Sequence, residues 1–350
     1  MASHNDILSP ASNHRARMAF AAGLLLLPLL AAAALLTGSM RLAPGEVLSA
    51  LAAAPSDASP AAFIVWQSRV PQVAVALLAG ASLSAAGLAM QTLFANPLAD
   101  PSLLGVNSGA SLGAALVLLC GGTLFAGGGL IVGFMVTLVA AFLGAMAVML
   151  VLLALSSMLR GNMALLIAGV MISFLLSGII SLLNFYATSQ GVRSFVIWGL
   201  GDFSGVPLSS LPLYAVPVGL TLFALLFLAK PFNALLLGAE YAHNLGYRVR
   251  TVRTLGLLSA GLLSAATTAV CGPVSFIGLA VPHIVRLLYR RADHRLLIPA
   301  TMLWGGNVAL FALLLTRLPG ECGALPLAAV TPLIGVPVVF YILTKRGLRG

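Results

Sequence analysis

The sequence predicts an all-α polytopic membrane protein of about ten transmembrane helices with both termini cytoplasmic. Three observations carry that prediction. The 350 residues are 60% hydrophobic and only 7% charged, with a mean hydropathy of +1.08, a balance that no soluble domain carries. Apolar runs of about eighteen residues or more recur along the chain, and that is the length a helix needs to cross a bilayer. The eighteen Lys and Arg residues gather in alternate connecting segments, so the net charge of +10 reports topology and not a nucleic-acid partner.

Residues 1–17 form a polar tail ending in Arg15 and Arg17. The run from Met18 to about Gly38 exceeds a signal-peptide core of about 7–15 residues, so it is expected to stay as the first helix of a single transmembrane domain over 18–350. A polar excursion holding Pro55, Ser56 and Asp57 follows. The second span, Pro71–Leu93, is dense in small residues (Gly80, Ala81, Ser84, Ala85, Gly87), a pattern for close helix packing. Leu103–Cys120, a glycine-rich turn at Gly121–Gly129, Leu130–Met158, Met163–Ala187 and Leu208–Ala229 come next. Thr254–Val270, Phe276–Leu288, Leu296–Thr316 and Pro326–Thr344 complete the set. Phe276–Leu288 is too short to span alone and is expected to extend into its arginine-rich flank.

With the N-terminus inside, all but four of the basic residues fall on the cytoplasmic side. Arg41, Arg69, Arg193 and Arg317 are the outer ones. The longest charge-bearing segment between apolar runs, at about 230–254, is then cytoplasmic. It carries Lys230, Glu240, Arg248, Arg250 and Arg253. Within it Leu237, Tyr241 and Leu245 fall at i, i+4, i+8 beside Gly238 and Ala242, the signature of a short amphipathic helix, and Gly246 stands at a C-terminal cap position. Such a helix suits a groove on another protein.

Other chemistry is sparse. Cys120, Cys271 and Cys322 have no metal-ligand spacing. Among His4, His14, His243, His283 and His294 no pair sits at i, i+4, so neither a metal nor a cofactor is expected on the chain. No Gly-Lys-[Ser/Thr] phosphate loop is present, so ATP-driven work would need a separate ATPase with its own ATP and Mg. Ser173, Ser177, Ser181, Asn184 and Thr188 run at 4-4-3-4 spacing, and Gly169 continues this stripe. A polar face of this kind looks at protein or at a wet cavity, and its spacing fits either.

From Arg69 onward the sequence resembles the FecCD family of ABC-importer permeases, which serve ferric siderophores, haem and cobalamin. The resemblance rests on Arg69-Val-Pro71, on Asn96-Pro97-Leu98-Ala99-Asp100-Pro101 with Leu104-Gly105-Val106, and on Trp198 to Gly205. It continues through Gly238, Glu240, Ala242, Leu245, Gly246 and Arg253, then Gly272 to Arg286 with Asp293-His294-Arg295. It implies an inner-membrane, multi-pass permease working as a homodimer. Two ATPase subunits would bind inside, and a periplasmic or lipid-anchored binding protein would deliver cargo outside, with a ferric siderophore as the default. The cytoplasmic helix becomes the ATPase-coupling site. Arg69 and Arg317, which residue type alone would also fit to snorkelling, become docking points for binding-protein carboxylates. The polar stripe becomes a lining of the pathway.

Gln72 stands where the family has a second Arg. Leu313 replaces an Asp four residues before Arg317, and Ala324 replaces a Glu for which Glu321 is a candidate substitute. Asp100 and Asp202 are read as turn or cap residues and His283 as structural. Two rivals remain from other classes: an intramembrane hydrolase using Ser108 and His283, and a proton-driven carrier. No carboxylate within the spans supports the second.

Overall fold

The computed structural model describes residues 10–38, 40–53, 55, 59–102, 104–120, 129–159, 161–318 and 323–347, and the elements described are helical. The helices are α1 (Pro10–Leu36), α2 (Pro44–Ala52), α3 (Pro60–Ile64), α4 (Val70–Leu93) and α5 (Val106–Cys120). They continue with α6 (Gly129–Met158), α7 (Asn162–Tyr186), α8 (Ser189–Gly199), α9 (Leu211–Phe227) and α10 (Ala229–Leu236). The last five are α11 (Ala239–Asn244), α12 (Val249–Cys271), α13 (Ile277–Tyr289), α14 (His294–Thr316) and α15 (Leu327–Gly347). Seven helical spans among the described residues are long and apolar enough to cross a membrane, and α5, α13 and the Leu327–Tyr341 part of α15 are shorter apolar helices. Each coincides with one of the ten apolar runs.

Small residues decide which helices lie inside. In α4 and α14, Gly80 and Gly305 face each other so closely that a Cβ on either would overlap the other's carbonyl oxygen. Ser84 closes the same contact through its hydroxyl, which donates to the Thr301 carbonyl at 2.9 Å. One turn or two further along α4, Gly87 meets Gly278 of α13 in the same manner. Contacts this short between backbones replace the hydrophobic drive that lipid cannot supply. As a result 78% of the apolar window through α3 and α4 is buried, against 11% in α1 and 11% in α7.

Several boundaries differ from the expectation. The first helix begins at Pro10, not after Arg17, because nothing in Pro10–Arg17 breaks helix, and the earlier tail lies outside the described residues. The polar excursion folds: Val47, Ala50, Ala62 and Val65 form a small core of α2 and α3, and Trp66 Nε1 donates to the Ala50 carbonyl at 3.0 Å. Ser56, Asp57 and residues 121–128 of the glycine-rich turn lie outside the described residues. Helix α13 does not extend into its arginine flank, because Arg290 adopts a left-handed conformation and ends it. Its start is also abrupt, since Phe276 has φ of 69°. The non-helical stretch before it is buried in protein: Asp202 N–H donates to the Cys271 carbonyl at 2.9 Å, and Gly272 packs against the Trp198 carbonyl. Irregular backbone in a membrane protein survives only when covered in this way.

Two helical glycines therefore respond differently to one methyl group. Gly80→Ala is expected to cost about 2 kcal/mol or more through overpacking, visible as a lower melting temperature in detergent. Gly219→Ala in α9, where an added Cβ meets no atom within 4 Å, is expected to leave melting unchanged or raise it slightly. Equal melting of the two variants would contradict the close α4–α14 contact.

Candidate functional site

The charge-bearing segment at about 230–254 folds as two short helices, α10 and α11, between α9 and α12. Glycines at both ends of α11 supply turns that other residues resist: Gly238 has φ of 110° and Gly246 has φ of 87°. At the second end the Tyr247 N–H donates to the Ala242 carbonyl at 3.1 Å, and the Gly246 N–H donates to the His243 carbonyl at 2.9 Å. These are the paired bonds of a Schellman cap. The helix is shorter than the stripe implied, covering Ala239–Asn244, so Leu237 and Leu245 flank it.

Its apolar side chains nevertheless point away from the protein. Leu237 is 66% exposed, Tyr241 50% and Leu245 55%, while Ala242 is fully buried on the underside. Glu240 stands exposed in the first turn. Arg253 is exposed one turn into α12 and, with Arg250, borders a cavity of about 710 Å³ whose other walls include Leu93, Phe94 and Leu159. The six residues assigned to coupling therefore lie in one segment of the surface, five around α11 and Arg253 at the base of α12.

Sequence reasoning missed what holds this segment in place. Asn233 of α10 donates through Nδ2 to Asp293 Oδ1 at 2.6 Å. Its Oδ1 accepts the His294 N–H at 2.8 Å and faces His294 Nδ1 at 2.8 Å. Burial alone would raise the Asp293 carboxyl, but the Arg295 amide, Asn233 and the nearby positive charge hold it below the usual carboxylate range. An ionised Asp293 can only accept, so the Asn233 NH₂ must face it and the proton of His294 is assigned to Nδ1. The other ring nitrogen meets Thr92 Oγ1 of α4 at 2.8 Å. The chain Asn233–His294–Thr92 thus ties α10 to α14 and α4, and Phe232 adds an edge-on ring contact with His294 at 5.6 Å. The available signal was Asp293, a side chain suited to an N-cap ahead of an apolar helix.

Arg69 and Arg317, read as docking points, both find partners within the chain. Arg69 is 2% exposed. Its Nη1 donates to the carbonyls of Leu35 at 2.6 Å and Leu36 at 3.1 Å, and its Nη2 to Met40 at 2.6 Å. Arg317 donates through Nη1 to Ala34 at 2.5 Å and Thr37 at 2.7 Å, and through Nη2 to Gln72 Oε1. Both guanidiniums cap the last carbonyls of α1, which have no intrahelical partners. Arg69 is thereby covered by its own chain, whereas Arg317 stays half-buried and keeps part of its surface open. Gln72 takes its place in this corner as an acceptor, and Leu313 is buried at 3% exposure. Ala324 is exposed, whereas Glu321 lies outside the described residues.

The polar stripe is real over four of its five residues. Ser173 donates to the Gly169 carbonyl at 3.0 Å, Ser181 to that of Ser177 at 2.9 Å, and Asn184 to that of Ile180 at 3.1 Å. These bonds return three of the polar groups to their own helix; the face is covered at one end, where Gly169 packs against Leu104 and Ser173 against Gly105, while Ser177 and Ser181 further along are exposed. Thr188 belongs elsewhere: α7 ends before it, and its hydroxyl caps α8 by accepting from the Gly191 N–H at 3.2 Å.

His283 is structural. It is 4% exposed, and its Nε2 meets the Pro97 carbonyl at 2.8 Å. A carbonyl only accepts, so that nitrogen carries the proton and does not serve as a base for Ser108. Asp100 accepts from the Ser102 amide at 2.8 Å and Asp202 from the Ser204 amide at 3.0 Å, which are the turn roles expected of them.

Comparison with known proteins agrees with this arrangement. The model of the FecCD transport family matches residues 24–345. The chain is 34% identical over 316 residues to the vitamin B12 import system permease protein BtuC of Klebsiella pneumoniae, covering 90% of each chain. It is 34% identical over 313 residues to that of Salmonella typhi, covering 89% of this chain and 90% of the relative. A solved chain in an inward-facing conformation, assigned to a metal-chelate type ABC transporter, superposes with a TM-score of 0.80 at 27% identity, covering 94% of this chain and 99% of that one. With a family match over nearly its whole length and a bundle that follows the same course, this chain belongs to the FecCD transport family.

Proposed function

We propose that the chain is the pore-forming subunit of an ABC importer, spans the cell inner membrane ten times, and works as a homodimer with both termini in the cytoplasm. The observation that carries this reading is α11: a short capped helix that exposes Tyr241 between the exposed Leu237 and Leu245, on a segment rich in arginine and braced from behind by α10. A separate ATPase, one copy for each permease, docks there and uses ATP and Mg. Closure of the ATPases pushes on α11 and shifts the bundle between two arrangements. The chain performs no covalent chemistry on its cargo.

The polar face of α7 is proposed to line the pathway through Ser173, Ser177, Ser181 and Asn184. These groups carry no charge, and those of Ser173, Ser181 and Asn184 bond carbonyls of their own helix, so a large chelate slides past without a tight site. Outside, a periplasmic or lipid-anchored binding protein delivers the cargo to the face carrying α2 and α3. Arg69 and Arg317 hold the outer end of α1 under that face. The BtuC relatives favour a corrinoid such as cobalamin as cargo over the ferric siderophore first expected. An iron chelate stays as the second reading because the structural neighbour is of the metal-chelate type.

Three outcomes test this proposal. Reconstituted with its ATPase and binding protein, the complex is expected to take up labelled cobalamin in an ATP-dependent manner, with ferric siderophore transported at least about tenfold less well. The reverse preference would reassign the cargo, and downhill movement without any ATPase would remove the importer reading itself. Glu240→Lys or Gly246→Val should lower uptake by about tenfold while ATP hydrolysis persists. At Gly246 the cause is backbone strain of about 1–2 kcal/mol in a left-handed turn, since an added side chain meets open space. Unimpaired uptake would sink the coupling assignment. For topology, an impermeant maleimide should label Arg15→Cys only in inverted vesicles and Ser49→Cys only from the periplasm, and the opposite pattern would invert the fold.

A further inference from the structure

A second cavity opens between the first turns of α1 and the start of α14. It measures about 480 Å³ and is walled by Arg17, Phe20, Leu24, Arg291, Leu296 and Pro299. Its chemistry is divided. Among the described residues two guanidiniums supply the charge and the remaining walls are apolar. Along α1, Phe20 and Leu24 follow Arg17 at i+3 and i+7, so one helix face passes from charged to apolar as it runs from the polar tail into the first span. At the depth of Leu24 the two helices are joined: Asn307 of α14 donates to the Gly23 carbonyl at 3.1 Å, and Gly23 packs against Leu303 and Trp304. The space is therefore a fixed feature of the α1–α14 pair and not a loose fit along the whole helix.

We infer that this cavity binds an anionic phospholipid of the inner leaflet, with its phosphate between Arg17 and Arg291 and an acyl chain along Phe20 and Leu24. Guanidinium forks match phosphate oxygens in pairs, and basic pockets between helices on the cytoplasmic side suit acidic headgroups. A free phosphate would use the arginines but leave the apolar walls bare. An acidic protein segment would have to enter beside α1, whose exposed Leu25 and Leu29 face outward in the manner of a lipid-facing helix. The inference rests on the cytoplasmic placement of Arg17 given above, and the maleimide labelling of position 15 tests that placement separately. A topology failure and a lipid failure are thus distinguishable.

The experiment is lipid titration of the full-length protein in detergent, read by native mass spectrometry, with phosphatidylglycerol and phosphatidylethanolamine of identical chains. Phosphatidylglycerol is expected to bind preferentially. Arg17→Gln and Arg291→Gln should each weaken it about fivefold, from roughly 1 kcal/mol per surface basic residue, and the Lys variants should keep most of the binding. Leu24→Trp, which fills the apolar end and leaves both charges, should also weaken it, so the result stands even if one Gln variant fails to fold. Equal binding of the two lipids, or undiminished binding in the double Gln variant, would overturn the proposal. So would displacement of the lipid by an equal concentration of inorganic phosphate, or a double variant that loses only its association with the ATPase.

Discussion

The need to satisfy every backbone polar group without water governs this structure more than any other constraint. Inside a bilayer an unpaired carbonyl or amide costs several kcal/mol, and a bundle of helices creates such groups at each helix end. The solutions here are specific. Arg69 and Arg317 cover the last carbonyls of α1. Thr188 covers an amide at the start of α8, and Asp293 one at the start of α14. The break before α13 is covered by the loop after α8, whose Asp202 amide takes the Cys271 carbonyl. Along the polar stripe of α7, Ser173, Ser181 and Asn184 obey the rule by bonding carbonyls of the preceding turn.

That constraint explains why two blocks far apart in sequence meet. The Asn96–Pro101 turn cannot pair with a regular neighbour, and α13 cannot start without cover. They solve the problem jointly: the Pro97 carbonyl faces His283, Arg286 reaches Gln91, and Gly278 leaves room for the Asp100 carboxylate. Gly87 then lets α4 and α13 close on each other. The residues that carry the family resemblance are thus largely those that complete hydrogen bonds at broken helices.

Much of this was legible in the sequence. Hydropathy located all ten apolar helices, because burial in lipid demands long apolar runs whatever their partners are. Small residues marked the inner helix, and Gly246 marked the end of α11, since both signals are local. The misreadings have a common origin in non-local geometry. An arginine at the end of a span reads the same whether it snorkels, docks or caps, and the α1 carbonyls that Arg69 bonds lie 34 and 33 positions away. Four-residue arithmetic carried the stripe through to Thr188 because it is blind to the extended conformation at Ala187 that ends α7. The Asn233–His294–Thr92 chain joins residues separated by 61 and 202 positions, and no local pattern announces it.

The last of these has mechanical weight. A helix of six residues that receives a push transmits it only if its support is stiffer than its contact. Segment α10 is supported by side-chain hydrogen bonds to the N-terminus of α14 and, through His294, to α4. Phe232 beneath it is fully buried and packs beside Gly256 of α12. On the other side of α11 the situation is reversed: Arg250 and Arg253 at the base of α12 border a cavity, with Leu159 across it near the turn between α6 and α7. The segment is therefore anchored where the chain enters it and has free volume where the chain leaves. Force applied at Leu237, Tyr241 and Leu245 meets the least resistance toward α12 and that turn, which leads directly into α7, a helix whose apolar window is only 11% buried.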